Sequence, residues 1–231
     1  MTKCQVCGAS LTTRPQGRPQ TYCSRACQAK AYRARRRPML PLPNRKRELA
    51  EAVWRIAATH GLESVTMREV AAEAHVSLRV VQYNFPGKHD LLVYALRELH
   101  RDNETRSRQR GEQLPDPTDM RAVLALVLNE FLPLDAHRRM SLTVYAAYFA
   151  RSLTDPEIRT VFLGDDKSLE NLVAMLIGKL NPAVDAEREA DLLVSGITGL
   201  GLDILHRRRT VAEVQSTVDY HLDRLSGITR R

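Results

Sequence analysis

The sequence of 231 residues predicts an all-α protein, and three observations support that fold class. Apolar residues recur at three- and four-residue intervals over long stretches, which is the period of one helix face. Threonine, serine or aspartate stands where several of these stretches begin, as N-cap residues do. Proline or glycine stands where they end, since neither residue continues a helix readily.

The net charge of the chain is +8, and it is unevenly distributed. Residues 1–47 contain twelve lysines and arginines and no acidic residue, so the rest of the chain sums to −4. Such a basic segment is typical of a protein that binds a polyanion. Nucleic acid is favoured over a membrane surface, because no amphipathic helix with bulky apolar anchors accompanies the charge.

Composition narrows the class of protein further. Apolar content is ordinary and aromatic residues are few, as in a globular chain. No apolar run approaches the roughly 18–20 residues that a membrane span requires. Because the N-terminus lacks an apolar signal region, we expect a cytoplasmic location and no membrane partner.

All four cysteines lie near the N-terminus, as Cys4-x2-Cys7 and Cys23-x3-Cys27. Four thiolates at these spacings suit one tetrahedral Zn²⁺ in a closed structural site. Gly8 permits the tight turn of a zinc knuckle directly after Cys7. Two disulfides would need an oxidising compartment, and a single redox pair would leave two cysteines unexplained. A thiol redox switch is the alternative interpretation.

The chain divides into four predicted segments. A four-cysteine module occupies residues 1–33, and a basic linker with three prolines occupies residues 34–44. A helix-turn-helix domain follows at 45–104, and a C-terminal helical domain at 114–228. The prolines favour an extended linker, and its basic residues could lie along a DNA backbone.

The first helix of the third segment is predicted over residues 45–60. Its apolar positions repeat at helical spacing: Leu49, Val53, Ile56 and Ala57. Gly61 stands at the C′ position, where glycine commonly ends a helix. We expect Trp54 and His60 to pack in the core and not to bind a ligand.

Residues 66–85 predict two short helices joined by a tight turn. Thr66 is an N-cap that forms a capping box with Glu69. Ser77 caps the second helix, which a Phe-Pro-Gly segment at 85–87 ends. Two capped helices at this separation make a helix-turn-helix, whose second helix can enter the major groove of DNA.

The outward side chains of the second helix favour a DNA reader. Arg79 and Gln82 can pair with base edges. Tyr83, Asn84 and Lys88 can contact phosphates or base edges. The alternative is a helical hairpin that serves only as core, since its small residues suit either interpretation.

A fourth helix is predicted over residues 88–110. Its first half carries apolar residues at helical spacing, as a core helix does. Its second half, from His100 onward, is polar on every face. We therefore expect a solvent-facing connector to the segment that follows.

The remaining chain predicts further helices at 118–132, 135–152, 157–180, 185–206 and 210–225, with a break near Gly164. The middle helices are apolar around much of their circumference, which is expected both of a plain core and of helices that enclose a ligand. Our candidates for an effector pocket are Met140, Thr143, Tyr145, Tyr148, Phe149 and Met175.

The helix at 185–206 contains Gly196, Gly199 and Gly201. Each glycine inside a helix costs about 1 kcal/mol relative to alanine, so we expect a close helix–helix approach to compensate. That approach can be packing within one chain or between two chains.

Residues 45–99 resemble the TetR family of bacterial transcriptional regulators. The resemblance is carried by Ala57-Ala58-x-x-Gly61-Leu62, Thr66-x-Arg68-Glu69-Val70-Ala71, Ala74-x-Val76-Ser77, Tyr83-x-Phe85 and Lys88-x-x-Leu91-Leu92. It implies that Thr66 and Lys88 contact phosphates. The positions that it implies to face the operator are Ser77, Leu78, Arg79, Val80, Gln82, Tyr83 and Asn84.

Two positions depart from the family pattern. His75 stands where many such turns have glycine, so a positive φ is expected there. Gln82 stands where the family often has an aromatic residue, which leaves the operator sequence open.

The C-terminal half resembles the domain of choline- and betaine-responsive TetR repressors. The matching residues are Leu132-Pro133-Leu134-Asp135, the segment 150–156 and Asp219-x-His221-Leu222-Asp223-Arg224-Leu225. The resemblance implies the architecture and no particular ligand. It favours a dimer interface formed by the last two helices of each subunit, and symmetry would then place two recognition helices about one DNA turn apart.

The cysteine module resembles short fingers that end in Tyr-Cys-Ser-x-x-Cys and a basic Ala-Tyr-Arg helix, here at 22–27 and 31–33. Such fingers precede DNA-binding domains in some bacterial regulators.

Taken together, the sequence predicts a ligand-responsive transcriptional repressor that binds a palindromic DNA operator as a homodimer. Its expected partners are the operator, a small-molecule effector and a second copy, with one structural Zn²⁺ as cofactor. A zinc- or thiol-dependent redox-responsive protein is the alternative. An enzyme is not expected, since the chain lacks an HExxH motif, a Ser/His/Asp ordering and a glycine-rich phosphate loop.

Overall fold

The computed structural model describes residues 3–11, 21–35, 42–164 and 167–227, and within them the all-α prediction is confirmed. An isolated β-bridge joins Lys3 and Ser10 in the N-terminal module. The chain forms two compact units, Met1–Arg45 and Lys46–Arg231.

The first helices are α1 (Arg25–Arg35), α2 (Leu42–His60), α3 (Met67–Glu73), α4 (Leu78–Asn84) and α5 (Lys88–Gly111). The later helices are α6 (Met120–Asn129), α7 (Ala136–Ser152), α8 (Pro156–Leu163), α9 (Ser168–Leu180), α10 (Ala186–Leu205) and α11 (Val211–Leu225). A short 3₁₀ turn, Leu62–Ser64, lies between α2 and α3.

The predicted linker at 34–44 was too long. Helix α1 reaches Arg35 and helix α2 begins at Leu42. Pro43 therefore lies in the first turn of α2, where its missing N–H costs no helical hydrogen bond. The other two linker prolines, Pro38 and Pro41, lie outside the described residues.

Side-chain caps define most helix starts in the C-terminal half. Asp119, Asp135, Asp155 and Asp185 each accept a hydrogen bond from the backbone N–H three residues later. Thr210 and the residue three positions on form a complete capping box at the start of α11. These caps satisfy donors that a helix leaves unpaired, which is why the predicted starts agree with the observed ones within two residues.

The predicted break near Gly164 is confirmed. Helix α8 ends at Leu163, and Gly164 follows with φ of 64°, a conformation that glycine adopts without strain. Helix α9 begins at Ser168.

The first of two apolar cores joins the N-terminal helices of the larger unit to α7 and α8. The apolar positions predicted on α2 are buried in it, as are Val65, Val70 and Val81 around the helix-turn-helix. Trp54 is also buried, and its indole N–H donates to the Ala95 carbonyl at 2.9 Å. The prediction for His60 was wrong: this last residue of α2 is exposed.

The second core lies among α6, α9, α10 and α11. Its fully buried members include Leu124, Leu128, Ile177 and Leu222. Helix α7 contributes to the first core through Val144 and Tyr148, so the segment predicted at 114–228 contains the whole second core and also shares the first core with the N-terminal helices.

The polar second half of α5 faces solvent only in part. Arg101, Glu104 and Arg108 are exposed as predicted, but Asp102 is 6% exposed, so the prediction was wrong for that residue. Asp102 pairs with Arg47 of α2 and with Arg106 of its own helix, and Arg110 pairs with Glu130, which follows α6. Sequence periodicity classes Asp102 as exposed because it cannot detect that an arginine of another helix helps to neutralise it.

The glycines of α10 have different surroundings. A Cβ at Gly201 would stand 2.6 Å from the Phe131 carbonyl oxygen, so this glycine permits close packing within the chain. A Cβ at Gly196 or Gly199 would meet nothing within 4 Å. The expected close approach is therefore confirmed within the chain only for Gly201.

Among the described residues, no helix combines the length and apolar character needed to cross a membrane.

Candidate DNA-binding, metal and effector sites

A short turn fixes the angle between α3 and α4. His75 adopts a φ of 53°, as the sequence predicts, and the Val76 N–H donates to the Ala71 carbonyl at 2.9 Å. Ser77 occupies the N-cap position of α4 without a side-chain capping bond. Val81 anchors the inner face of α4 in the core, so the outer face points away from the apolar interior.

The outer face of α4 carries the predicted base-reading side chains. Arg79 and Gln82 are exposed, and Tyr83 is 73% exposed. Tyr83 is a large apolar ring held in water, which is unusual for a packing residue and ordinary for a contact residue. The remaining predicted positions are partly buried: Leu78, Val80 and Asn84.

Asn84 and Leu78 have roles within the helix-turn-helix itself. The Asn84 side-chain amide donates to the Val80 carbonyl at 2.8 Å, one turn back along α4. Leu78 packs against the first core. Within the free chain, both side chains therefore stabilise α4.

The two predicted phosphate contacts lie at helix starts. Thr66 is exposed, and its hydroxyl oxygen accepts from the Glu69 N–H at 3.1 Å as the N-cap of α3. Lys88 is the first residue of α5, and its ammonium donates to the Glu63 carbonyl at 3.3 Å. The N-terminus of a helix presents unpaired N–H groups, which favours anionic oxygens nearby.

The four cysteine sulfurs converge in the N-terminal module. The Sγ atoms of Cys4, Cys7, Cys23 and Cys27 all lie within 4.8 Å of one another, and all four thiols are free. The separation is 3.4 Å between Cys7 and Cys23 and 3.5 Å between Cys23 and Cys27. Four sulfurs at ~2.3 Å from a tetrahedral Zn²⁺ stand ~3.8 Å apart, so the cluster has the dimensions of a metal site.

Backbone turns hold the cysteines in place. Gly8 has a φ of 74°, and its N–H donates to the Cys4 carbonyl at 2.9 Å. The N–H groups of Val6, Cys23 and Cys7 lower the pKa of the Cys4 thiol to about 6. Sulfur that receives backbone N–H bonds is stabilised as thiolate, which is the form that binds metal.

Cys23 has the opposite environment. Hydrogen bonding with the Cys7, Cys27 and Cys4 thiols raises the pKa of Cys23 to about 12. Binding of Zn²⁺ would displace these shared protons, because the metal binds cysteine as thiolate.

The candidate effector residues occupy three different environments. Tyr148 is a core residue: it is fully buried, its hydroxyl donates to the Leu92 carbonyl at 2.9 Å, and burial raises its pKa. Met140 also packs against the first core, and Thr143 donates to the Arg139 carbonyl at 2.9 Å. Phe149 and Met175 are about half exposed.

Three rings do form a cluster between α7 and α8. Tyr145 and Phe162 have ring centroids 4.2 Å apart, and Phe149 and Phe162 have centroids 5.9 Å apart. Burial raises the pKa of Tyr145, and the charge of Glu170 on α9 raises it further. The cluster therefore presents aromatic faces, and the phenol of Tyr145 is sensitive to the charge of Glu170.

A polar network around Asp102 was missed at the level of sequence. Asp102 pairs with Arg47 of α2 and with His137 of α7, whose Nε2 lies 3.3 Å from a carboxylate oxygen. Asn103 accepts a hydrogen bond from Ser141 of α7 at 2.9 Å. Asp102 and Asn103 each contact α7, but in the sequence they belong to a continuous polar run that gives no sign of these contacts.

The fold and the outer face of α4 define a helix-turn-helix DNA-binding protein. Comparison with known families specifies the class. The profile of "Bacterial regulatory proteins, tetR family" matches residues 48–95, and that of "BetI-type transcriptional repressor, C-terminal" matches residues 120–227. Together the two profiles cover more than half of the chain. The chain belongs to the TetR family of bacterial transcriptional regulators, with a C-terminal domain of the BetI type.

Relatives of known name agree with this assignment. The HTH-type transcriptional regulator BetI of Vibrio campbellii is 24% identical over 164 residues, which is 71% of this chain and 80% of that protein. The HTH-type transcriptional regulator PksA of Bacillus subtilis is 26% identical over 165 residues, which is 68% of this chain and 77% of that protein.

Solved structures show the same fold. A transcriptional regulator from Rhodococcus sp. Rha1 is 28% identical, with a TM-score of 0.64 over 79% of this chain and 94% of that chain. A regulator from Saccharomonospora viridis, solved in complex with choline, is 25% identical, with a TM-score of 0.67 over 80% of this chain and 95% of that chain.

Proposed function

We propose that this TetR-family regulator is an effector-responsive repressor that binds a palindromic operator as a homodimer through α4. The observation that carries the proposal is the asymmetry of α4, which buries Val81 and exposes Arg79, Gln82 and Tyr83. Arg79 is the base reader with the greatest specificity, because a guanidinium can pair with two acceptors of guanine. The proposed DNA contacts are Thr66, Ser77, Leu78, Arg79, Val80, Gln82, Tyr83, Asn84 and Lys88.

A second copy of the chain is the proposed partner of α10 and α11. Gly196 and Gly199 offer open backbone on α10, and Leu192, one turn before Gly196, is 71% exposed. On α11, Tyr220 is also 71% exposed. Glycine inside a helix is destabilising unless another backbone approaches closely, and no such approach to these two glycines occurs within the described chain. A twofold interface would supply it.

For the effector we propose a small cation that carries a quaternary ammonium group. The rings of Tyr145, Phe149 and Phe162 provide the chemistry that recognises such a group through cation–π attraction. The choline complex of the Saccharomonospora viridis regulator, which shares this fold, supports that chemistry. Tyr148 is excluded from the proposed pocket, because its hydroxyl is committed to Leu92 in the core.

The effector can be tested with choline and its neutral isostere 3,3-dimethylbutan-1-ol, by calorimetry on the full-length protein. Choline should bind, the isostere should bind far more weakly, and Phe149→Ala should weaken choline binding about five- to ten-fold. Leu153→Ala, an equally exposed apolar residue on the same chain segment, is the control. Equal binding of the two compounds would rule out recognition of the charge.

For the cysteine cluster we propose one structural Zn²⁺ held by Cys4, Cys7, Cys23 and Cys27. The sulfur separations and the free thiols support this site. Bound zinc would keep the four sulfurs as thiolates and close the module, as four protein ligands leave no position for water. The alternative is a thiol redox switch.

Metal analysis combined with thiol titration separates these alternatives. Aerobically purified protein should contain one zinc per chain and should show no reactive thiol until the metal is chelated. Metal-free protein whose cysteines cycle through disulfides would instead establish the redox alternative.

The stoichiometry of the DNA complex tests the dimeric operator. Analytical ultracentrifugation of the protein on a duplex recovered by in-vitro selection should give two chains per duplex, and choline should release them. A complex of one chain per duplex would contradict the proposed mode of binding.

A further inference from the structure

The helix-turn-helix of this protein lacks the positive charge that DNA binding normally requires. Residues 48–95, which match the TetR profile, contain four arginines and lysines against six aspartates and glutamates. One of the four is already neutralised, because Arg55 pairs with Glu73 at 2.5 Å. With Arg45, Lys46 and Arg47 at the start of α2 the head sums to only +1, and Arg47 is itself paired with Asp102. Most non-specific affinity for DNA comes from cations that displace counterions, so the head alone has little of it.

The charge that the head lacks is concentrated in the preceding segment. Residues 1–41, which precede α2, carry nine lysines and arginines and no acidic residue. Four thiolates with one Zn²⁺ would subtract two charges, which leaves this segment at about +7. Such a density is of the order found in polyanion-binding surfaces.

The described residues of the cysteine module expose cationic and not apolar side chains. Lys3, Arg25 and Lys30 are exposed. The large apolar side chains that are exposed in the described structure all lie at residue 83 or beyond. Protein interfaces are anchored by large apolar or aromatic side chains, and membrane-surface helices need apolar anchors as well. The module has the features of a phosphate-binding surface instead.

We infer that the cysteine module is a second DNA-binding element, which contacts the phosphate backbone beside each half-site and supplies the protein's sequence-independent affinity. This inference rests on the proposed operator-binding function. Between α1 and α2 the chain has six residues, 36–41, so the module is tethered at high effective concentration to the DNA that α4 reads. Base readout and backbone attraction are thereby assigned to different units of one chain.

The inference is tested with the full-length, metal-loaded double variant Arg25→Gln/Lys30→Gln. Both side chains are exposed on α1, and neither is a sulfur ligand. The matched control is Arg188→Gln/Lys179→Gln, which removes one arginine and one lysine from exposed positions on α10 and α9. Zinc content and the thermal melting of each variant are measured first, so that a folding defect is recognised.

Binding is measured by fluorescence anisotropy at several salt concentrations. The probes are a selected operator duplex and a scrambled duplex of the same length. We expect the double variant to bind both duplexes several-fold more weakly, with an unchanged ratio between them. The slope of log K against log salt should become less steep by up to about 0.9 for each contact removed. The control variant should behave as wild type, since its charges lie outside the module and surface charges are screened beyond ~8–10 Å.

Two results would overturn the inference. One is a salt slope and affinities equal to those of wild type in the double variant, and the other is an equal loss in the control variant. A finger that binds another protein would give the first of these results. Failure of the wild-type protein to prefer any duplex would instead contradict the proposed operator function, so the two failures are distinguishable.

Discussion

At the scale of single residues, the helix-turn-helix separates side chains that can select a DNA sequence from side chains that can only hold the backbone. Arg79 is the single charged residue of α4 and is exposed, whereas Lys88 lies at the start of α5 and donates to a carbonyl. A base contact discriminates between sequences, while a phosphate contact does not. Substitution of Arg79 should therefore change sequence specificity, whereas substitution of Lys88 should change affinity for all DNA alike.

Arg79→Ala should weaken operator binding by about 1–3 kcal/mol, because a bidentate base contact contributes about that much discrimination. Binding to a scrambled duplex should change far less. Anisotropy titrations on both duplexes measure the two affinities. An unchanged operator affinity would remove α4 as the base reader.

Lys88→Ala should behave differently, with an equal loss on operator and scrambled DNA. The salt slope should become less steep by about 0.9 per subunit, since one phosphate contact is lost. The same titrations at several salt concentrations provide the test. A loss confined to the operator would show that Lys88 reads a base.

Tyr148→Phe isolates one buried hydroxyl. It should lower the free energy of unfolding by about 1–2 kcal/mol, because the Leu92 carbonyl loses its donor in the core. Urea denaturation measures this loss, and calorimetry should show unchanged choline affinity. A large loss of choline binding with full stability would place Tyr148 in the pocket after all.

At the scale of elements, helix ends were predictable from sequence and buried polar contacts were not. Caps such as Asp135 and breaks such as Gly164 depend on neighbours within a few residues, so local pattern determines them. The ion pair of Arg47 with Asp102 joins residues 55 positions apart, and no local pattern indicates it. Tyr148 could not be assigned from sequence because pocket residues and core residues share the same apolar character.

Asp102→Asn tests the polar network around Asp102, which joins α2, α5 and α7. Burial works to raise the pKa of Asp102, but hydrogen bonds from Arg106 and Arg47 outweigh it and hold the pKa below 3.8. A depressed pKa means that the charged form stabilises the fold at neutral pH and that this contribution disappears as pH falls through the folded pKa. The variant should therefore be less stable than wild type at pH 7, by about 1–3 kcal/mol.

Urea denaturation from pH 7 to pH 3 measures this difference. It should be constant above about pH 5 and should shrink below about pH 4, where Asp102 of the unfolded wild-type chain takes up a proton while the folded chain still resists it. A difference that persists unchanged at pH 3 would show that packing, and not charge, determines the effect.

The glycines of α10 test the proposed dimer. Gly201→Ala should destabilise the protomer, because its Cβ would collide with the Phe131 carbonyl. Gly196→Ala and Gly199→Ala have open space within the chain, so helix propensity alone should stabilise each protomer by up to about 1 kcal/mol. If a second copy occupies that space, both substitutions should instead weaken self-association, as sedimentation analysis would show. Full dimerisation of both variants would place the interface elsewhere.

At the scale of the whole molecule, the chain combines a small cysteine-bearing unit with a larger helical unit. The boundary between them lies at residues 45 and 46, near the start of α2. Both apolar cores lie in the larger unit. The division permits one unit to lose its structure while the other keeps its own.

Metal removal should therefore act on one unit only. Chelation of zinc, or Cys4→Ser, should leave the main thermal transition near its wild-type temperature, because neither apolar core contains the cysteines. Affinity for any DNA should fall, because the module no longer holds its basic residues in place. Circular dichroism during heating measures the temperature of the main transition, and fluorescence anisotropy on the same samples measures the affinity for DNA. A main transition that falls with zinc loss would show that the two units depend on each other.

The central claim is that α4 of a dimer reads a palindromic operator. In-vitro selection from a random duplex library, carried out in parallel with the wild-type protein and with Arg79→Ala, tests it most directly. We predict that wild type enriches an inverted repeat whose half-sites are centred about one helical turn apart, and that Arg79→Ala loses preference at the same position of each half-site. A wild-type selection that enriches no inverted repeat, or a variant that enriches the identical sequence, would contradict the claim.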